Sequence, residues 1–322
     1  RGQTLLDLLK RPFKIDKTEI AVSASIGATL YPQHGDDVSI LLRHTDSAMY
    51  YAKNAKLGIH LYEPKIDKTS LTQLAMTSDL HKALDDKSFE LYYQPKIHLK
   101  DDKLSSVEAL GRWQHSKHGF IPPNIFINAL EQMGMINDYT EWLIETALKQ
   151  ISVWKEVGHE IKIAVNISTQ TLTQVAFIEF LKKTIVDFHT GSFLIFEITE
   201  NLFLAEYDRL SETLHTIREL GIILSIDDFG TGYSSLSRLK KLPVSELKID
   251  CSFVMEMINQ QDDEIIVKST IDLAHNLGLT VVAEGVENKA TYDRLKELGC
   301  DTIQGYYISK PLPITLFNEF LA

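Results

Sequence analysis

Acidic and amide side chains stand at the ends of successive candidate β-strands, from Glu108 to Gln304. Carboxylates that are gathered in one place without compensation repel one another strongly. Hard divalent cations bound by oxygen ligands remove that repulsion, and two ions fit if Asp227 or Asp228 bridges them. The pattern therefore predicts a divalent-cation site with a lysine beside it. The residues are Glu108, Asn166, Glu197, Glu200, Asp227, Asp228, Lys248, Asp250, Glu284, Glu287 and Gln304.

Each of these residues also has an ordinary structural explanation when it is taken alone. A single Glu after a strand is more often a helix cap or a surface salt bridge than a metal ligand. Asp228 could cap the following helix, and Glu200 and Glu287 could be solvated. Lys248 could simply neutralise its neighbours. Their joint occurrence at successive strand ends is what favours a functional site.

Other residue patterns narrow the chemistry. No histidine falls in a metal-ligand spacing, which argues against zinc and for magnesium or manganese. The chain has neither a GxxxxGKS/T nor a GxSxG motif, so a nucleoside triphosphatase and a serine hydrolase are both disfavoured. Gly230 and Gly232 in DDFGTGYSSL are typical of a phosphate cradle, although a tight turn that needs positive φ explains them equally well.

Strands that alternate with amphipathic helices must position these side chains. Eight such strands in roughly 250 residues predict an α/β fold, a modified (β/α)₈ TIM barrel whose strand ends meet at one face. Only six residues separate Ile97 from Leu104, which is too few for a parallel crossover, so the first two strands must form a hairpin. An open α/β sheet with an antiparallel edge is the alternative. The strands are FELYYQPKI, LSSVEALGRW, IKIAVNIS, FLIFEITE, IILSIDDF, ELKID, LTVVAEGV and TIQGYYIS.

The residues before the barrel form a smaller, partial unit. IAVSASIGATL, a turn at YPQHGDD and the helical spacing from Val38 to Ala52 predict a strand, a turn, a helix and a strand. This stretch holds too little apolar surface for a good core of its own. We therefore divide the chain into a partial α+β segment at 1–66, a linker at 67–77 and a barrel at 78–322.

Composition excludes some classes of partner. The formal charge of −11 makes the chain a poor binder of polymeric nucleic acid, although a small phosphate compound remains possible if metal ions supply positive charge. Two cysteines make no disulfide framework, which favours a reducing, cytoplasmic location. No apolar run suggests that this segment contacts a membrane. The chain begins at Arg1, so we expect it to be a fragment of a protein that could be membrane-anchored upstream.

The motifs in the barrel region resemble those of the EAL domain, in order and over about 245 residues. DDFGTGYSSL with KID and AEGVE at these spacings is a highly specific signal, whereas EAL alone would be weak. The first 66 residues resemble the C-terminal half of a GGDEF (diguanylate cyclase) domain, without its catalytic signature. The EAL-like motifs are YQPKI at 93–97, EALGRW at 108–113, VNIS at 165–168, EITE at 197–200, DDFGTGYSSLSRLKKLPVSELKID at 227–250, VVAEGVE at 281–287 and GCDTIQGYYISKP at 299–311.

The resemblance implies an activity and a set of residue roles. Proteins of this family cut one phosphodiester of cyclic di-GMP to give linear pGpG, with magnesium or manganese. By position, Glu108, Asn166, Glu197 and Asp227 correspond to ligands of a first ion, which Asp227 would bridge to a second ion bound by Asp228. Glu284 would act on the ions directly or through water, and Lys248 would position the attacking water. The catalytic set is thus Lys248, Glu284, Glu108 and Asp227.

Further roles follow from the same resemblance. Glu200 corresponds to the acid that anchors the DDFG loop, a loop that the family also uses at a homodimer interface, and Glu287 to a supporting residue. Four positions of the family pattern differ here: Gly111, Asn201, Cys251 and Asn288. Of these, Gly111 and Cys251 could lower substrate affinity. The positions assigned to the nucleotide or its surroundings are Gln94, Pro95, Arg112, Asp250 and Gln304.

Two other functions remain open at this point. An EAL barrel can act as a receptor that binds cyclic di-GMP without cleaving it, and the full ligand set does not prove turnover. A barrel that only dimerises, as a scaffold, is the third possibility.

Overall fold

The computed structural model describes residues 2–9, 13–15, 18–20, 24–54, 57–64, 79–86, 88–188, 190–231 and 239–321. They belong to two compact units, Arg1–His81 and Lys82–Ala322. The predicted linker at 67–77 lies outside the described residues. None of the helices in the described ranges is long and apolar enough to cross a membrane.

The first unit combines short strands with one longer helix. Its elements are α1 (Gly2–Leu9), β1 (Phe13–Ile15), β2 (Thr18–Ile20), β3 (Ile26–Ala28), α2 (Val38–Asn54) and β4 (Ile59–Leu61). β1 pairs with β2 in an antiparallel hairpin, and β3 pairs with β4 in parallel. α2 buries Ala48 and Ala52 completely, and Gly27 of β3 lies so close to it that a Cβ atom there would overlap the carbonyl oxygen of Thr45. The predicted order of strand, turn, helix and strand is present in this unit.

A closed barrel of eight strands forms the second unit, as predicted. β5 pairs antiparallel with both β6 and β13 and thereby closes the sheet, while the other neighbouring barrel strands pair in parallel. The short β5–β6 connection therefore is the expected hairpin, and the open-sheet alternative is wrong. The barrel strands are β5 (Phe89–His98), β6 (Lys103–His115), β8 (Lys162–Asn166), β9 (Leu194–Thr199), β10 (Ile223–Phe229), β11 (Glu246–Ile249), β12 (Thr280–Ala283) and β13 (Thr302–Gln304).

Helices cover the outside of the barrel and form the core with its outward side chains. On α4 the apolar residues from Leu143 to Trp154 recur at helical spacing and are buried, and Trp154 packs against Tyr93 of β5 and Phe317 of α11. Two short strands, β7 (Gly119–Ile121) and β14 (Leu312–Pro313), extend the sheet at its edges. The helices are α3 (Pro123–Gln132), α4 (Ile136–Glu156), α5 (Thr169–Leu172), α6 (Val175–Phe188), α7 (Glu200–Glu219), α8 (Cys251–Glu256), α9 (Gln261–Asn276), α10 (Lys289–Glu297) and α11 (Ile314–Leu321).

Two strand boundaries differ from the sequence prediction. Glu108 lies inside β6 and not at its end, because β6 continues to His115 to pair with β5 and β7. The last strand stops at Gln304, where the chain turns at Gly305. A Cβ atom on Gly305 would overlap the backbone of Val286, so the turn depends on glycine at this position.

Gly111, which departs from the family pattern, faces the outer helices and not the barrel interior. A Cβ atom on Gly111 would overlap the hydroxyl oxygen of Tyr139 and lie 3.6 Å from Phe126. Tyr139 is buried against the rings of Phe89, Phe126 and Trp142. The space beside residue 111 is therefore filled by a tyrosine from α4.

We expect Gly111→Ala to lower the free energy of unfolding by about 1–3 kcal/mol, because the added methyl group overpacks the contact with Tyr139. In a Tyr139→Phe background the same substitution should cost less, since the overlapped oxygen is gone. Thermal unfolding of the four proteins would measure both costs as shifts in Tm. Equal shifts in the two backgrounds would show that the hydroxyl group is not the obstacle.

Candidate active site

Side chains from seven barrel strands meet at the carboxyl-terminal end of the parallel strands, which we call the barrel mouth. Strand alternation directs Gln94 of β5 and Glu108 of β6 inward, and these two residues are direct partners in the hairpin register. In β8 and β9 the register places Asn166 beside Glu197. The fold therefore brings together residues that are far apart in sequence. The others at this level are Asp227 of β10, Lys248 of β11, Glu284 after β12 and Gln304 of β13.

Lys248 is the centre of this arrangement. Its ammonium group is only 1% exposed and is surrounded by four carboxylates, which we call the carboxylate cluster. Burial acts to lower the pKa of Lys248, but the surrounding negative charges raise it well above its ordinary value, so the side chain stays protonated. From Lys248 Nζ the distances are 2.7 Å to Glu284 Oε1, 2.9 Å to Glu197 Oε2, 3.0 Å to Asp227 Oδ1 and 4.0 Å to Glu108 Oε2.

A second buried lysine shares one of these carboxylates. Lys96 Nζ donates to Glu197 Oε1 at 2.5 Å, while Lys248 Nζ donates to Glu197 Oε2 at 2.9 Å. Burial alone would raise the pKa of Glu197, but the charges of Lys248 and Lys96 outweigh it and lower that pKa to about 2. Glu197 is therefore ionised at any pH at which the protein is used.

Amide groups fix the orientation of Glu108. Asn166 Nδ2 donates to Glu108 Oε1 at 2.7 Å, and Gln304 Nε2 donates to Glu108 Oε2 at 2.6 Å. Gln304 Nε2 also donates to Gln94 Oε1 at 3.0 Å, and Gln94 Nε2 donates to the carbonyl oxygen of Ser309 at 3.2 Å. The buried Gln304 Oε1 has no hydrogen-bond partner among the described residues, so it can accept from a bound ligand or water. Burial, and then the charge of Glu197, raises the pKa of Glu108.

Asp227, Asp228 and Glu284 form the group best suited to hold a cation. One carboxylate oxygen from each residue lies within 4.8 Å of the others. Asp228 takes a left-handed backbone conformation, φ 56°, and its N–H donates to Asp227 Oδ1 at 3.0 Å. All the donors are carboxylate oxygens, the ligands that magnesium and manganese prefer, so the group fits the predicted ions.

The electrostatics of this group also favour a cation. Burial, followed by the charges of Asp227 and Asp250, raises the pKa of Asp228 to about 6. Glu284 lies against Lys248, whose charge acts to lower its pKa. Burial and the neighbouring carboxylates nevertheless raise that pKa to about 8, because Lys248 is shared with three other acids. A divalent cation would supply the positive charge that this side of the cluster lacks.

The other predicted site residues take up several different positions. Glu200 Oε2 accepts from the backbone N–H of Gly230 at 2.8 Å, on the loop that follows Asp228, and Asp250 accepts from the N–H of Ser252 as the cap of α8. Gly230 has φ 102°, the left-handed region, whereas Gly232 lies outside the described residues. Glu287 is exposed at the rim.

A cavity of about 260 Å³ opens beside Glu284. Gln94, Cys251, Glu287, Gln304 and Tyr306 are among the residues that line it. It offers a ligand polar amide groups, a carboxylate and an aromatic ring next to the candidate cation site.

Arg112 and Pro95, both predicted to contact the substrate, have different surroundings. The Arg112 guanidinium is half-buried, lies 5.5 Å from the ring centre of Tyr92 and donates to the carbonyl oxygen of Gly111 at 2.9 Å. Burial lowers the pKa of Arg112, but the ordinary value is so high that the guanidinium remains charged. Pro95 alternates with Gln94 along β5, so its side chain is buried toward the outer helices, and its assignment to the substrate-binding set stays a prediction.

Sequence reasoning missed Lys96 and its second partner, Glu246. Lys96 Nζ lies 3.9 Å from Glu246 Oε1, which also accepts from Ser225 Oγ at 2.9 Å. The available signal was strand period: Lys96 is two residues after Gln94 and must face the same interior. A charged residue inside a barrel needs a partner of opposite charge, so the position of Lys96 alone indicates a buried ion pair.

Comparison with known proteins places the chain in a family. The EAL domain family matches residues 77–311, and the diguanylate cyclase, GGDEF domain family matches residues 1–58. Bifunctional diguanylate cyclase/cyclic di-GMP phosphodiesterase MucR from Pseudomonas aeruginosa is 37% identical over 315 residues, which cover 97% of this chain and 46% of MucR. Cyclic di-GMP phosphodiesterase PdeR from Escherichia coli is 33% identical over 318 residues, covering 98% of this chain and 48% of PdeR. The chain thus spans less than half the length of these relatives.

Solved structures agree with this placement. The structure of the MucR phosphodiesterase in complex with c-di-GMP is 38% identical, with a TM-score of 0.72, and the match covers 74% of this chain and 98% of that one. The FimX EAL domain from Pseudomonas aeruginosa bound to c-di-GMP is 26% identical, with a TM-score of 0.68, covering 73% and 95%. The chain belongs to the EAL domain family and carries a GGDEF-family segment at its N-terminus.

We expect the affinity for Mn²⁺ to rise between about pH 6 and pH 9, because ligation requires the ionised carboxylates of Asp228 and Glu284, with pKa values of about 6 and about 8. In the metal-free protein, by contrast, the free energy of unfolding should fall as the pH rises. These folded-state pKa values lie above the ordinary ones, so the folded state holds protons more tightly, and stability falls as pH rises from about 4 to 8.

Mn²⁺ titrations and thermal unfolding across this pH range would measure both trends. Glu284→Gln should bind Mn²⁺ more weakly and lose most of the dependence above about pH 7. An affinity that does not change with pH in the unsubstituted protein would contradict the assignment of these ligands.

Proposed function

We propose that this chain hydrolyses cyclic di-GMP to linear pGpG with Mg²⁺ or Mn²⁺. The observation that carries the proposal is the buried carboxylate cluster around Lys248, which stands next to the oxygen ligand group of Asp227, Asp228 and Glu284. The relatives MucR and PdeR, both named as cyclic di-GMP phosphodiesterases, support the choice of substrate. The complete set of acidic groups favours hydrolysis over a receptor that only binds.

Two ions are proposed, and the chain provides candidate ligands for both. Glu108, Asn166, Glu197 and Asp227 would hold one ion, and Asp227 and Asp228 the other, with Glu284 acting directly or through water. Two divalent cations held by these residues would supply a more acidic water as the nucleophile and positive charge for the leaving oxygen. The positive charge would also draw a dianionic dinucleotide to a chain whose formal charge is −11.

The side chains of the protein have separate tasks in this proposal. Lys248 Nζ contacts Glu284, Glu197 and Asp227, and if bound cations took over one of these carboxylates, the freed N–H would hold an attacking water or a phosphoryl oxygen by a charge-assisted hydrogen bond. Arg112 presents a planar donor fork that suits a phosphate or a guanine edge. Gln304 Oε1 is a buried acceptor without a partner among the described residues, and it would accept from a bound donor.

The proposal also includes the oligomeric state of the protein, its location and its small-molecule partner. We expect a homodimer that uses the loop following Asp228, in a cytoplasmic setting, with cyclic di-GMP as the small-molecule partner. Glu200 would hold that loop through the N–H of Gly230. Sedimentation of the purified protein, with and without substrate, would measure the association.

The central test is incubation with cyclic di-GMP and Mg²⁺ or Mn²⁺, read by chromatography. We expect pGpG to appear and Glu108→Gln to reduce the rate by roughly 10³-fold, because loss of one ionised ligand removes several kcal/mol of transition-state stabilisation. Glu160→Gln, at an exposed residue before β8, is the matched control and should leave the rate unchanged.

Each other outcome assigns a different function. Tight binding of cyclic di-GMP in the presence of metal, without any pGpG, would reject hydrolysis and make the chain a receptor. Absence of binding would leave only the scaffold.

A further inference from the structure

A buried lysine in the barrel interior has no place in the roles described so far. Lys96 is completely buried, on the inner face of β5. The hairpin register pairs Lys96 with Ser106, whereas Gln94 pairs with Glu108. The pair that contains Lys96 is the next inward-facing pair and lies deeper in the barrel, further from the mouth. Lys96 therefore lies beneath the carboxylate cluster and cannot reach a ligand in the mouth directly.

The contacts of Lys96 point to one residue of the site. Its ammonium group donates to Glu197 Oε1 at 2.5 Å, whereas the oxygen of Glu246 is 3.9 Å away. The other oxygen, Glu197 Oε2, faces Lys248 and the carboxylate cluster. The two oxygens of Glu197 are thus separated: one is held from below, and the other is presented to the mouth.

Stability does not account for this pair. Burying an ammonium group is costly unless it is paired, and a buried ion pair replaced by well-packed apolar residues is often neutral or stabilising. Lys248 alone could not fix Glu197, because it is shared with Glu284 and Asp227 at distances of 2.7 Å and 3.0 Å. Within the described part of the chain, the next carboxylate oxygen to Lys96 is that of Glu246 at 3.9 Å, so the bond of Lys96 to Glu197 is the one that orients the Glu197 carboxylate from below.

We infer that Lys96 is a positioning residue, which holds Glu197 Oε1 so that Glu197 Oε2 is presented to a divalent cation in the barrel mouth. The inference rests on the proposed function for its kinetic consequence, but its effect on cation binding can be measured without substrate. Lys96 would act as the groups behind metal ligands commonly do, by limiting the freedom of the ligand that they contact.

The first experiment is a direct Mn²⁺ titration of the metal-free protein, with Lys96→Met as the test variant. We expect roughly a 10–100-fold weaker affinity for Mn²⁺, since an unheld ligand must be ordered on binding. Glu246→Gln is the matched control: it alters the more distant neighbour of Lys96 and keeps the contact with Glu197, so the affinity should stay within about twofold. Unchanged or tighter Mn²⁺ binding by Lys96→Met would overturn the inference, because Lys96 would then only repel the cation.

A double-substitution cycle separates positioning from a general effect on the fold. In a Glu197→Gln background, Lys96→Met should cause no further loss of Mn²⁺ affinity, because Lys96 acts through the Glu197 carboxylate. A loss of equal size in both backgrounds would show that Lys96 supports the barrel generally, and would overturn the inference. Circular dichroism confirms folding of each protein. If Lys96→Met alone does not fold, Lys96→Gln replaces it in the same cycle.

Kinetics add an independent measurement. If hydrolysis is established, the Lys96→Met variant should have a lower kcat at limiting metal. Its kcat should recover at high Mn²⁺, and its KM for cyclic di-GMP should be unchanged. If the unsubstituted protein binds Mn²⁺ but does not hydrolyse cyclic di-GMP, the proposed function fails while the titrations still decide the role of Lys96. If it does not bind Mn²⁺ at all, the inference fails as well.

Discussion

The pairing of one buried ammonium group with four carboxylates is the interaction on which the site depends. Lys248 contacts acids from three strands and from the segment after β12, and all of these groups have lost most of their contact with water. Buried charges of one sign repel, so the barrel can close around them only if positive charge lies among them. The positions of the acids are in turn determined by the closed barrel, because each comes from a different element.

The two sides of the cluster are balanced differently. Glu197 has a lysine on each oxygen and Glu108 has an amide donor on each oxygen, so the protein itself fixes both side chains. Among the described residues, Glu284 has Lys248 as a close donor on one oxygen only, and burial raises the pKa of both Asp228 and Glu284. The first pair is thus oriented before any cation binds, whereas the second pair gains most from one. The compact ligand group accordingly lies on the side of Glu284 and Asp228, together with Asp227.

Much of the fold followed from the sequence, because the informative signals were local. Strand and helix periods predicted the barrel, and the length of one connection predicted the hairpin that makes β5 antiparallel. The inward contacts were harder to predict. The partners of Lys96 lie 101 and 150 positions along the chain, at Glu197 and Glu246, and no local pattern links them. The motif match that named Pro95 likewise says nothing about which face of β5 its side chain occupies.

The residues that depart from the family pattern fall into two groups: those that pack within the fold and those that line the cavity. A Cβ atom on Gly111 would point at Tyr139, so the small size of Gly111 is matched by packing against α4, while its carbonyl oxygen accepts from Arg112. Asn288 caps α10 by accepting from the N–H of Thr291.

Cys251 alone of these three lines the cavity, beside Gly285, where a Cβ atom would lie 2.6 Å from the Cβ atom of Cys251. Burial and the charge of Asp250 raise the pKa of its thiol, so at this position the chain offers the ligand a neutral group. Of these three departures, we therefore expect Cys251 to have the most direct effect on substrate affinity, because Gly111 and Asn288 act on the fold around the site; the side chain of Asn201 lies outside the described residues.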